Sequence, residues 1–190
     1  LRSSDLIWSR SMNEYLLGER APMTDLMAWN SDATRMPARM HGQYLRHLFL
    51  DDDLSEGRYR VGGKPISLGD IRTPLFCVGT ETAHVAPWRS VYKLHYMTPA
   101  EMTFVLPSGG HNAGIVSEPG PPHRHYRIGT SVDGDSYMAP DDWQNATPIV
   151  EGSWWPAWSA WLKARSAEPA APPKTGSTAR KYPVLGEAPG

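Results

Sequence analysis

The strongest constraint on the fold is a pair of short apolar runs separated by a helix-like segment. The first run, Leu-Phe-Cys-Val-Gly, occupies 75–79, and the second, Met-Thr-Phe-Val-Leu, occupies 102–106. Between them, Trp88, Val91 and Tyr92 recur at helical spacing. A strand, a helix and a second strand form a right-handed βαβ unit, so the sequence predicts two parallel strands. The carboxyl ends of such strands meet at a crevice where active sites lie.

Each predicted strand is followed by a loop that carries a histidine. The loop at 107–114 reads Pro-Ser-Gly-Gly-His-Asn-Ala-Gly, so His111 lies between glycines that allow close backbone approach. Histidine is the commonest catalytic base because its pKa lies near neutrality. The alternative is a loop histidine bonded to nearby carbonyls. His84, in the loop at 80–88, is either a second ring in the site or a structural hydrogen-bonding residue, and the structural role is favoured.

The bulk composition excludes several classes of protein. The chain has 190 residues, enough for one domain or one and a half, and a formal net charge of -1. That charge gives no reason to expect a nucleic acid or an anionic membrane as the main partner. No apolar stretch is long enough to span a bilayer, and no signal peptide is visible. A single cysteine excludes an intrachain disulfide and favours a reducing compartment.

The chain offers a candidate base without a candidate nucleophile. Cys77 lies in the middle of a predicted strand, where a small buried hydrophobic side chain is the expected role. No Gly-x-Ser-x-Gly or Gly-x-Cys-x-Gly elbow occurs anywhere in the sequence. His123, Arg124 and His125 form a basic cluster without Cys, Asp or Glu at ligand spacing, so a solvated loop is favoured over a metal site.

The remaining segments are mostly helical. Trp154, Trp158 and Trp161 fall on one face of the last predicted helix and are expected to pack against the sheet. The segment at 117–135 is rich in Pro, Gly, Ser and Asp and is interpreted as an irregular excursion. The other predicted elements are helices at 4–17, 24–30, 37–50 and 154–164, a hairpin around Gly62-Gly63 and a linker-like tail from 166.

Several segments, taken together, resemble class I polyhydroxyalkanoate synthases. They follow the order and approximate spacing of that family and cover most of the chain. Because the chain starts at Leu1 rather than at methionine, we expect a fragment, and the resemblance implies the C-terminal third of such an enzyme. The matching segments are Asp-Leu-Ile-Trp at 5–8, Asn-Glu-Tyr-Leu-Leu-Gly at 13–18, Trp-Asn-Ser-Asp-Ala-Thr-Arg-Met-Pro at 29–37, Tyr-Leu-Arg at 44–46, His-Val-Ala-Pro-Trp at 84–88, Gly-His-Asn-Ala-Gly at 110–114 and Gly-Ser-Trp-Trp-Pro at 152–156.

The resemblance implies an α/β fold, namely the C-terminal portion of an α/β-hydrolase fold with a parallel sheet and part of a helical cap. Residues 1–70 are expected to belong to the cap subdomain and residues 71–165 to the hydrolase core. Residues 166–190 are expected to form a flexible tail. In that fold, a histidine at the tip of a strand is the general base.

The resemblance also implies a chemistry. The family polymerises (R)-3-hydroxyacyl-CoA into a polyester and releases CoA, and it uses no cofactor or metal. A cysteine on a nucleophile elbow carries the growing chain as a thioester, a histidine deprotonates that cysteine, and an aspartate acts on the 3-hydroxyl of the incoming unit. The expected location is the surface of polyester granules in the cytoplasm, and the expected state of the full-length protein is a homodimer.

One position departs from the family pattern. His111 matches the family histidine, but Ala83 stands where the family has its aspartate, and His84 matches the residue after it. Alanine can neither accept a proton nor orient a hydroxyl, so the chain is expected to be inactive as given. Glu81 is the remaining acidic side chain within this loop, and it could reach the site only if the backbone there re-aimed it. Matches near the substrate path, with a weaker assignment, are Arg2, Asp25 and Trp29.

Two other functions remain open from the sequence. The first is an esterase or depolymerase of the same fold, because the loop histidine suits either reaction. An upstream cysteine nucleophile favours acyl transfer, whereas a serine favours hydrolysis. The second is a non-catalytic relative that binds granules or associates with an active synthase, and Ala83 is the feature that favours it.

Overall fold

The computed structural model describes residues 8, 11–19, 25–32, 34–173, 175–176 and 182–186. The chain divides into two compact units, residues 1–53 and residues 54–190. The expected division of the chain at residue 70 into cap and core stays a prediction, as does the tail from 166. Of the predicted helix at 4–17, most of the first part, 4–10, lies outside the described residues.

The unit at 1–53 is helical. A π-helix, Ser11–Leu16, precedes Gly18, whose φ of +70° suits a helix end and favours glycine. Helix α1 is Asp25–Ser31, and helix α2 is Ala38–Leu45, which continues as a π-helical segment, Arg46–Leu50. The predicted helices at 24–30 and 37–50 are therefore confirmed. None of the described side chains in this unit is buried.

The unit at 54–190 begins with the predicted hairpin. Strands β1 (Arg60–Val61) and β2 (Lys64–Pro65) pair in antiparallel fashion. The turn uses Gly62 and Gly63 at φ +56° and +79°, a conformation that two consecutive glycines adopt without steric cost. A 3-10 turn, Leu68–Asp70, then leads towards the main sheet.

The predicted βαβ unit forms the start of the main sheet. Strand β3 (Leu75–Val78) pairs in parallel with β4 (Met102–Pro107), in a register that places Leu75 beside Met102. Helices α3 (Trp88–Tyr92) and α4 (Leu94–Met97) connect the two strands. The apolar runs and the helical spacing therefore predicted these elements correctly.

The segment at 117–135, predicted to be irregular, contains a strand at 125–131 and is irregular on either side of it, and the expectation of an all-parallel sheet was wrong. Strand β5 (His125–Ser131) pairs with β4 in antiparallel fashion, and β6 (Val150–Glu151) extends the sheet beyond β5. The four-stranded order is β3-β4-β5-β6. Tyr126 and Ile128 lie on one face of β5, but polar residues alternate with them, so the strand lacks a continuous apolar run. The sheet is mixed, and the α/β class is confirmed.

Strand β4 is the centre of the core. On one face, Phe104 and Leu106 pack with buried aromatic side chains of α3 and of helix α5 (Pro140–Ala146). On the other face, Val105 packs with Tyr126 and Trp154. Every residue of β4 is buried, because apolar layers cover both faces of the strand.

Helix α6 (Trp155–Lys163) covers the second face of the sheet. The ring of Phe76 lies 6.2 Å from that of Trp154 and 5.5 Å from that of Trp161. The predicted packing against the sheet is confirmed for Trp154 and Trp161, whereas Trp158 is exposed and contacts Trp154. Within the described part of the chain, no helix is long and apolar enough to cross a membrane.

Candidate active site

The two loops predicted to form a crevice are joined by backbone hydrogen bonds. Beyond the ends of β3 and β4, the Glu81 amide donates to the Pro107 carbonyl (3.1 Å) and the Thr82 amide to the Gly109 carbonyl (3.1 Å). The pairing of the two strands therefore continues into the loops. As a result, the segment that carries Ala83 runs directly alongside the segment that carries His111.

The two loop histidines contact each other. The ring centroids of His84 and His111 lie 5.0 Å apart, and the rings are nearly perpendicular at 84°. Both residues are exposed, whereas Ala83, which precedes His84, is half-buried. An exposed imidazole at the carboxyl end of a buried strand can exchange a proton with a group that approaches from outside. The two loops thus place His84 directly beside His111, and the roles of both residues stay predictions.

Glycines shape the loop that carries His111. Gly109 has φ +102°, a conformation that L side chains rarely adopt, and the Gly114 amide donates to the Gly110 carbonyl at 2.8 Å. A Cβ at position 114 would lie 2.6 Å from Cγ2 of Thr80 and 2.8 Å from the Gly110 oxygen. The two loops therefore approach as closely as they do because position 114 has no side chain.

Replacement of Gly114 by alanine is expected to lower the free energy of unfolding by about 1–3 kcal/mol, because the added methyl group overpacks the contact with Thr80. Urea denaturation of the chain measures this loss. Gly42→Ala is the control, since no atom lies within 4 Å of a Cβ there and alanine is preferred to glycine within a helix. Equal stability of the Gly114→Ala variant and the parent would contradict the tight approach of the loops.

Two tryptophans at the start of α6 hold the far side of the His111 loop. The Trp154 indole N–H donates to the Gly114 carbonyl at 2.9 Å, and that of Trp155 donates to the Ile115 carbonyl at 2.9 Å. The Ser153 hydroxyl also donates to the buried Ser117 carbonyl. The sequence predicted packing for Trp154 and indicated no role of its own for Trp155. The long-range indole hydrogen bonds to a loop 40 residues earlier have no signal in local sequence.

Glu81 does not replace the missing aspartate. Its carboxylate accepts from Nη1 of Arg127 at 3.1 Å and lies 3.6 Å from Nε2 of His125. Arg127 is itself held by the Thr147 carbonyl at 3.2 Å. The Glu81 carboxylate therefore contacts β5, which agrees with the sequence argument against its reaching the site.

Within the basic cluster at 123–125, His123 is exposed as expected of a solvated loop, whereas Arg124 and His125 are half-buried. His125 begins β5 and is half-buried, and its side chain faces Glu81. Arg124 donates to the Val116 carbonyl at 2.9 Å and pairs with Glu118. The contacts of Arg124 stabilise the segment at 116–118, which follows the His111 loop. They were missed because β5 was interpreted as irregular.

Cys77 is a structural residue, as expected. It is half-buried within β3 and packs against the aromatic cluster around Phe104. Burial raises the pKa of the Cys77 thiol, so the thiol stays protonated near neutral pH. A nucleophilic cysteine needs the opposite shift.

The other predicted substrate-binding residues belong to the unit at 1–53. Asp25 and Trp29 both lie in α1, and both are exposed; 71% of the Trp29 surface is accessible. Arg2 lies outside the described residues. The roles of these three residues in binding substrate stay predictions.

One cluster with possible metal ligands lies outside the predicted site. His47, Asp51 and Asp53 bring a ligand atom each to within 4.8 Å of one another. The His47 Nδ1 is already hydrogen-bonded to Oδ2 of Asp53 at 2.7 Å. That internal pairing accounts for the proximity of the two side chains without an ion.

Comparison with known proteins shows similarity to polymerases. The poly(3-hydroxyalkanoate) polymerase subunit of Rhizobium meliloti (strain 1021) is 39% identical over 163 residues, which are 86% of this chain and 26% of the relative. The poly(3-hydroxyalkanoate) polymerase 2 of Ectopseudomonas oleovorans is 36% identical over the full chain and 33% of its own length. The poly(3-hydroxyalkanoate) polymerase of Methylorubrum extorquens is 38% identical over the full chain and 31% of its own length. No protein-family model matches the chain.

The similarity confirms the resemblance to polyhydroxyalkanoate synthases. It runs along the whole chain in several relatives at once, and it includes the crevice described above. The chain is similar over its whole length to these polymerases and spans about a third of the length of those it matches.

Proposed function

We propose that this chain contributes the general base of a polyhydroxyalkanoate synthase, an acyltransferase that polymerises (R)-3-hydroxyacyl-CoA. The observation that carries the proposal is the exposed pair of His111 and His84 where two parallel strands end. An α/β-hydrolase fold would use that position for its base, and the parallel pair of β3 and β4 is consistent with it.

In the proposed reaction His111 accepts the proton of a cysteine thiol that belongs to a part of the polymerase not covered by this chain. The thiolate forms a bond to the carbonyl carbon of the acyl-CoA, the carbon–sulfur bond to CoA breaks, and the CoA thiolate takes up a proton. A new ester then forms when the 3-hydroxyl of the next unit attacks the enzyme-bound thioester, and the carbon–sulfur bond to the enzyme cysteine breaks and releases that cysteine as a thiolate. The proton of that hydroxyl needs an acceptor, and Ala83 cannot supply one.

A non-catalytic synthase-like partner is the second candidate. Ala83 favours it, and so does the engagement of Glu81 by Arg127 and His125, which leaves no carboxylate of this loop to act in place of the aspartate. In that role the chain would associate with an active synthase at a polyester granule. The proposal of a synthase also includes dimerisation of the full-length protein, a position at the granule surface and a cytoplasmic location.

The test joins this chain to the preceding part of the Methylorubrum extorquens polymerase and introduces Ala83→Asp. With (R)-3-hydroxybutyryl-CoA we expect release of CoA together with an insoluble polyester, and we expect His111→Ala to abolish both. Release of CoA with free 3-hydroxybutyrate as the product would instead identify an esterase. No release of CoA, with the protein folded and bound to an active synthase in a pull-down, would identify the non-catalytic partner.

A further inference from the structure

A cavity of about 430 Å³ lies at the end of the sheet opposite the His111 loop. Its walls include side chains from α3 and α4, the last residues of β5 and the segment at 132–138. Ser131, at this end of β5, pairs with Met102 at the start of β4, whereas the His111 loop follows the end of β4. The volume falls within the usual range for small-molecule sites. The proposed acyl transfer makes no use of this cavity.

Two pairs of aromatic rings line the cavity. The ring centroids of Tyr96 and Tyr137 lie 4.9 Å apart, and those of Tyr92 and Trp143 lie 5.7 Å apart. Tyr92 and Trp143 are almost fully buried, so the rings that a ligand can reach are those of Tyr96 and Tyr137. The face of an aromatic ring carries a partial negative charge, which attracts a cation placed over it. Tyr137 is 65% exposed, and it is held beside Tyr96 by the ring contact and by a hydrogen bond between the two side chains.

The charged groups at the cavity are acidic. Asp135 lines it and also lines an adjoining hollow of about 140 Å³, together with Asp133. One oxygen of Asp135, Oδ2, accepts from the Val132 amide at 2.8 Å, which fixes the carboxylate at the rim. Neither lysine nor arginine is among the described residues that line either space. These carboxylates would therefore repel an anionic ligand, and no basic side chain among the described lining residues would offset that repulsion.

His95 adds a hydrogen-bond acceptor to the cavity. Its Nδ1 lies 2.8 Å from the Tyr92 carbonyl, which can only accept, so Nδ1 carries the proton. Burial lowers the pKa of His95, so the ring is neutral near pH 7 and Nε2 is an acceptor. A neutral ring does not repel a cation. Hydroxyl groups of Ser131 and Ser136 also line the cavity.

We propose that this cavity binds a compact organic ammonium ion. Aromatic faces, a fixed carboxylate and neutral acceptors without a basic side chain are the combination that recognises alkylammonium groups. The cavity would admit a ligand of a few non-hydrogen atoms and would exclude the phosphate groups of CoA. A ligand bound in the cavity would link the segment at 132–138 to α4, because it would contact both Tyr137 and Tyr96.

The test compares choline with 3,3-dimethyl-1-butanol, a neutral molecule of nearly the same shape. Affinities for the 190-residue chain are measured by ligand-observed NMR titration. We expect choline to bind about tenfold more tightly than its neutral counterpart, because only the cation gains from the rings and the carboxylate. Equal affinity for the two, or no saturable binding of choline, would overturn the proposal.

Two variants locate the binding. Asp135→Asn removes the carboxylate charge, and Tyr137→Leu removes an exposed ring with little effect on the core; each is expected to weaken choline binding about three- to tenfold. Glu151→Gln is the control, because it removes the same charge from the exposed strand β6 near the other end of the sheet. Asp135→Asn could also disturb the turn at 132–135, so the Tyr137→Leu variant is the decisive one. If its affinity for choline is unchanged, the proposal is overturned.

Discussion

Introduction of Ala83→Asp into the joined polymerase is expected to raise the rate of CoA release by about 10²–10⁴-fold, the usual contribution of a positioned proton acceptor. Position 83 lies in the loop that runs alongside the His111 segment, so a carboxylate there would be able to act on a hydroxyl bound in the same crevice. The steady-state rate with (R)-3-hydroxybutyryl-CoA measures the effect. A change in kcat with little change in KM is expected, because the aspartate acts on the reacting group.

The matched control is Ala83→Asn, which has nearly the same shape as aspartate but cannot accept a proton. It is expected to leave the rate close to that of the Ala83 parent. In the His111→Ala background, Ala83→Asp is expected to give no gain, since the thioester that the aspartate would act on does not form. A parent with Ala83 that is as fast as the Ala83→Asp variant would show that this position is not needed for the reaction.

The sequence was sufficient to predict the elements that form the crevice. The apolar runs of β3 and β4 and the helical spacing between them specify two buried parallel strands, because parallel strands are covered on both faces. Their pairing then places the two loops side by side. The glycines around His111 likewise marked a close backbone approach, which the contact between Gly114 and Thr80 now explains.

The remaining part of the site depends on long-range contacts that local sequence does not encode. The alternation in β5 is short, with Tyr126 and Ile128 as its apolar members, and the flanking segments rich in Pro and Gly indicate a loop more strongly than it indicates a strand. The engagement of Glu81 by Arg127 follows from the register of that antiparallel pair. Without the register, a carboxylate two residues before Ala83 could be expected to point into the crevice.

Phe104→Ala is expected to cause the largest loss of stability of any substitution considered for this chain. Phe104 is fully buried, and its ring lies 5.1 Å from that of Tyr92 and 5.2 Å from that of Trp143. Removal of a buried phenylalanine ring costs about 3–5 kcal/mol, because the lost contacts leave a cavity that the surrounding rings fill only in part. Urea denaturation followed by tryptophan fluorescence measures the change.

Phe49→Ala provides the matched control within the same chain. Phe49 is 69% exposed, so the same chemical change removes little buried surface, and the free energy of unfolding should fall by less than about 1 kcal/mol. Because Phe104 packs against Tyr92 and Trp143, which line the aromatic cavity, its loss is also expected to weaken choline binding. Similar losses of stability from the two substitutions would show that β4 is not the centre of the core.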